Sequence, residues 1–129
     1  MSSLPVLVLG SGVTALGAVR TLASVGIPAS VLADDPGFVA RSRWFRAAPG
    51  RAAAADADLA GYLASTAWPK AVLLPCSDHW AQRVAELPAE VRQRFPSSVP
   101  RADTLATFID KGRFAALLET VEVRIQLLC

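Results

Sequence analysis

Two short stretches carry the residue types that can hold a ligand. The first is VLVLGSGVTALG, residues 6–17, where an apolar run breaks at Gly10, Ser11 and Gly12 before helix formers resume. A helix starting directly after a strand presents unpaired backbone N–H groups and the positive end of its dipole, and glycines let a ligand approach the backbone closely. That chemistry suits phosphate or carboxylate, but a tight strand-to-helix turn with no ligand uses the same residues. With Gly17 the spacing reads G-x-G-x-x-x-x-G, not the dinucleotide fingerprint G-x-G-x-x-G. The second stretch is CSDHW, residues 76–80. Ser77 and Asp78 follow an apolar run and so sit at the carboxyl end of a predicted strand, the ligand side of an open α/β sheet. Both are also ordinary helix-cap residues. His79, the only histidine, has no acid or metal partner in its sequence neighbourhood and reads as a surface residue. Cys76 has no neighbouring base and reads as a small buried hydrophobe. Asp34 and Asp35 lie somewhat beyond the roughly 20-residue offset of a ribose-binding acid. A solvated turn before Pro36 and Gly37 is the favoured reading.

These positions need a scaffold, and the hydrophobic pattern supplies one. Residues 5–10 form a continuous apolar run, the signature of a strand buried on both faces. Val13, Leu16, Val19, Leu22 and Val25 then recur in three-residue steps as a helix stripe, ended by Gly26 and Pro28. Residues 29–33 form a second strand, completing a βαβ unit with the first strand central. The connection 34–50 is expected to hold a helical turn near 39–43 and a short strand near 45–48. Residues 54–66 predict one helix burying Leu59, Tyr62 and Leu63, with Asp56 and Asp58 early, where the helix dipole favours them. Strand 70–76, a helix over 77–87 carrying Trp80, Val84 and Leu87, a short helix from Pro88 and a last short strand at 97–100 follow. The alternation predicts an α/β fold, a Rossmann-like open and mostly parallel sheet of four or five strands, with C-terminal helices.

With 53% hydrophobic and 19% charged residues, the 129-residue chain is not of disordered composition. Thirteen basic and eleven acidic residues give a net charge of +2 and no overall nucleic-acid or membrane footprint. Cys76 and Cys129 form no metal-ligand spacing, and a reducing cytoplasm is the expected compartment. The apolar run 4–9 is too short for a membrane span, and no signal peptide is expected.

The segment VPRADTLATFIDKGRFAALLETV, residues 99–121, joins an amphipathic helix to a second one opened by Asp110 and Lys111. Together with residues 8–32 and 73–84, it resembles the N-terminal part of ATP-grasp ligases of the carbamoyl-phosphate-synthase-like and carboxylate–amine ligase kind. The resemblance implies a pre-ATP-grasp domain over residues 1–101 and a helical linker over 102–129. It also implies that Gly10, Ser11, Gly12, Ser77 and Asp78 line the cleft for a small carboxylate or amine substrate, with Lys111 at the family's DK position or simply solvated. ATP and Mg²⁺ serve the intact family through other domains, so no cofactor is expected on this chain and no catalysis from it alone. A family member would continue with a G-x-P-x-P type turn, whereas from about residue 122 this chain reads EVRIQLLC. A truncated or split ligase is therefore expected, needing the missing ATP-grasp domain or self-associating through its C-terminal region. The alternatives are an NAD-like nucleotide module and a non-catalytic interaction domain.

Overall fold

The apolar run forms strand β1 (Val6–Leu9), and all four of its residues are buried, as an unbroken hydrophobic strand requires. The structure is a computed structural model that describes residues 4–109 together with Ala115 and Glu119. Helix α1 (Gly12–Ser24) follows, then β2 (Ala29–Leu32), a 3-10 turn (Gly37–Arg41), α2 (Ala52–Ala57), α3 (Leu59–Ser65), β3 (Val72–Pro75), α4 (Asp78–Ala85), α5 (Ala89–Arg94) and α6 (Ala102–Ile109). The sheet is parallel, with order β2-β1-β3, so the first strand is central as the sequence predicts. Val6 aligns with Ala29 on one side and Val72 on the other, and Leu9 aligns with Leu32 and Pro75.

Side chains alternate across β1 into two cores. Val6 and Val8 join Ala15 and Val19 of α1, with Val31 and Val39. Leu7 and Leu9 join Leu59 and Leu63 of α3, Trp80 and Val84 of α4, and Phe95. The sheet is thus covered on both faces, which is why its strands are apolar but for Ser30, the half-buried residue of β2. The helix following β1 and the helix following β3 pack on opposite faces.

Four expectations require correction. Among the described residues the sheet has three strands, where four or five are expected. The strand expected at 45–48 contracts to a bridge: Val31 N–H donates to Arg46 C=O at 2.8 Å, and Ala48 N–H donates to Val31 C=O at 2.9 Å. Residues 97–100 form no strand, because local side chains satisfy the backbone there. Ser97 Oγ accepts from Val99 N–H at 3.3 Å, and the Arg92 guanidinium donates to Val99 C=O. The helix expected over 54–66 is two helices, broken at Asp58, whose carboxylate accepts from Gly61 N–H at 3.0 Å and caps α3. Asp56 therefore lies in the last turn of α2, away from the favourable dipole end.

The stripe along α1 is shorter than predicted. Ala15 and Val19 are buried, while Val13 and Val25 are 76% and 67% exposed. Three-residue steps fall short of a full helical turn by about 60°, so a stripe of five positions, four such steps, walks off the core face. No helix among the described residues is long and apolar enough to cross a membrane. The expected DK helix start at Asp110 and Lys111, the tail beyond residue 120 and Cys129 lie outside the described residues.

Candidate functional site

The β2-β1-β3 order brings the two singled-out stretches to one place. Cys76 N–H donates to Leu9 C=O at 2.9 Å, so the chain segments leaving β1 and β3 run side by side at the carboxyl edge. Since α1 and α4 depart to opposite faces, this edge is a topological switch point, the position where open α/β sheets form a ligand crevice. Gly10, Ser11 and Gly12 stand at this edge just after β1, and Ser77 and Asp78 just after β3.

Both loop glycines are required by the backbone. Gly10 has φ +128°, and a Cβ there would stand 3.3 Å from Cys76 Cβ, so the two strand exits can abut only without a side chain. Gly12 has φ +83° with open space around its Cα. Ser11 occupies the N-cap position of α1 in extended conformation, but its hydroxyl makes no capping bond, and the first turn holds no acid. At α4 the opposite holds. Ser77 Oγ accepts from Trp80 N–H at 3.2 Å, and Asp78 stands in the first turn. Among the described residues, the α1 terminus is therefore the one at this edge with no side-chain cap and no acid in its first turn.

Asp34 does not behave as a solvated turn residue. Its Oδ1 accepts from Ala52 N–H at 2.7 Å and from Arg51 Nε at 3.3 Å, and its Oδ2 accepts from Ala53 N–H at 2.9 Å. It caps α2 from outside that helix. The two backbone N–H bonds, aided by Arg51, hold its carboxyl below the usual aspartate range. Both oxygens are thereby committed.

His79 also departs from expectation, since it has an acid partner. Its Nε2 lies 2.7 Å from Asp56 Oδ1, and Arg83 Nε donates to the same oxygen at 2.8 Å. Arg83 above all, then His79, lowers the Asp56 carboxyl, and Asp56 in turn raises Arg83. Sequence separations of 23 and 27 residues hid this triad. The readable signal was the i,i+4 spacing of His79 and Arg83, which lets two side chains of one helix reach a common carboxylate. The triad ties α2 to α4. Cys76 is half-buried against the α1-side core, and burial pushes its thiol up, away from thiolate chemistry.

A cavity of about 480 Å³ opens elsewhere, between Gly50, Arg51 and the Tyr62 side of α3, and none of the five predicted site residues lines it. Among the described residues no group of three or more His, Cys, Asp or Glu side chains gathers that could hold a metal ion. No protein-family model, curated protein or solved structure matches the chain.

Proposed function

We propose that this chain is a Rossmann-like, substrate-side domain of an ATP-grasp carboxylate–amine ligase-like protein, and that it holds a small carboxylate at the start of α1. The observation that carries the reading is the contrast at the strand ends: α4 is capped by Ser77 and Asp78, while α1 begins with no capping side chain and no acid. Three N–H groups near residues 12–14 and the dipole end favour an anion there. Gly10 and Gly12 keep the approach open, and Ser11 and Ser77 supply hydroxyls beside it. In the resembled family, ATP with Mg²⁺ supplies the phosphoryl group that activates the carboxylate, through domains other than this one. The 129-residue chain alone is expected to bind and orient, not to hydrolyse ATP.

The rival reading, an NAD-like module, needs an acid at the end of the second strand to hold the ribose hydroxyls. Asp34 stands there with both oxygens engaged by α2 and Arg51, which weighs against it.

The test is an NMR titration of the chain with succinate, inorganic phosphate, ATP and NAD. Succinate and phosphate should compete for one site and shift the amides of residues 12–14. Ser11→Asp places a carboxylate on the open terminus and should weaken succinate binding at least ~10-fold, while the fold stays intact or gains up to about 1 kcal/mol from the new cap. Unchanged affinity in a folded Ser11→Asp protein, or NAD binding that shifts Asp35, would overturn the reading.

A further inference from the structure

The arginines among the described residues divide into those whose guanidinium bonds an oxygen and those whose guanidinium does not. Arg51, Arg83 and Arg101 pair with carboxylates. Arg92 and Arg94 donate to the carbonyls of Val99 and Pro69. Among the described residues, the four that bond no oxygen are Arg20, Arg41, Arg43 and Arg46, and all lie on the face built by α1 and the segment 37–46. That face has no acid of its own: α1 carries none, and the sequence from 36 to 55 carries none. Asp34 is engaged with α2, and Asp35 enters no ion pair.

The same face holds Phe38 and Trp44, two of the five large hydrophobic side chains that stand exposed among the described residues. The Arg43 guanidinium lies 4.3 Å from the centroid of the Trp44 ring, forming a ridge. A hollow of about 410 Å³ lies on one side of it, with Leu16, Arg20, Phe38 and Arg41 in its walls. Another of about 440 Å³ lies on the other side, with Val19, Ile27 and Arg46 in its walls. The first hollow is mainly apolar and the second of mixed lining; arginine and tryptophan beside such a hollow are the composition of interface anchors, and an apolar patch rimmed by charge marks a contact surface.

We propose that this face docks a protein segment in which acidic side chains alternate with apolar ones. Four guanidiniums without an oxygen partner call for carboxylates, and guanidinium geometry accepts them in bidentate fashion. The hollows flanking the Arg43–Trp44 ridge take the apolar side chains. A single-stranded nucleic acid fits less well. It needs successive open aromatic faces for base stacking, whereas one face of Trp44 is covered by Arg43, which leaves Phe38 as the other exposed ring in these hollows. This surface is formed by α1 and the 37–46 segment, and it stands independently of the carboxylate reading above.

The test is a display selection of a random peptide library against the full chain, followed by affinity measurement of the enriched peptides. They should interleave Asp or Glu with Leu, Ile, Phe or Trp, and they should bind more weakly as salt is raised. The exposed-site variants Arg43→Glu and Arg20→Glu, checked for an unchanged thermal midpoint, should each weaken binding ~10-fold or more. Enrichment of no such peptides, or equal binding to folded Arg43→Glu, overturns the proposal. A uridine homopolymer that binds more tightly than any selected peptide, with the same Arg43 dependence, overturns it in favour of a nucleic-acid face.

Discussion

Helices α1 and α4 leave neighbouring strands at the same edge, and each follows a serine in the N-cap position, Ser11 and Ser77. Yet Ser77 caps its helix and Ser11 does not. The difference lies in the next residue. Asp78 takes ordinary helical geometry and adds an acid to the first turn, whereas Gly12 enters α1 at φ +83° and carries none. Identical cap residues thus give a closed terminus in one case and an open one in the other. The chain satisfies the start of α2 by a third route, a carboxylate borrowed from the end of β2. A cap residue in a sequence therefore marks where a helix begins, but not whether its dipole is neutralised.

The comparison breaks most readily at Gly10, where the two loops touch. Gly10→Ala should cost about 1–3 kcal/mol from the positive φ, with the 3.3 Å approach to Cys76 adding to it. Urea denaturation measures this, and a loss below the low end would mean that the strand exits are not tightly apposed. Next come the two serines. Ser77→Ala should cost about 1 kcal/mol, the usual value of a lost cap. Ser11→Ala should change stability by less than about 0.5 kcal/mol, because no capping bond is lost. Equal losses in the two would show that both helices are capped alike. The smallest effect concerns the borrowed cap. Asp34 and Asp56 have carboxyls held below the ordinary aspartate value of 3.8, so each adds stability above that value and loses it as pH falls through the depressed native one. The double variant Asp34→Asn/Asp56→Asn should show a flatter decline of denaturation midpoint below about pH 4 than the parent. Superimposable acid limbs would remove these two groups from the pH dependence.

The backbone order was readable because it rests on local periodicity. The unbroken apolar run of β1, the glycine stops and the stripes Leu59–Tyr62–Leu63 and Trp80–Val84–Leu87 all follow from spacing within a dozen residues. What the sequence hid depends on groups far apart along the chain. The split at Asp58 was hidden because an Asp within helix-forming alanines reads as a solvated position until its carboxylate is seen to cap Gly61. Asp34 on α2 and Asp56 on His79 and Arg83 join segments brought together only by the fold. The strands expected at 45–48 and 97–100 failed for the opposite reason: their backbone groups found one sheet bridge or nearby side chains before a full ladder. At the candidate site the residue identities were legible, while the open state of α1 depended on the φ of Gly12, which no pattern of letters encodes.

The strand order also has a consequence in chain entropy. Val6 meets Ala29 after one short excursion, but it meets Val72 only after a path nearly three times as long. Closing the longer loop costs about 1 kcal/mol more than closing the shorter one. The edge where the exits of β1 and β3 meet lies across that more costly seam. A molecule contacting both the 10–12 and the 77–78 segments would therefore act as a reversible staple across the longest closure in the sheet. At a hundredfold excess over its dissociation constant, it would hold that seam shut with about 2.7 kcal/mol.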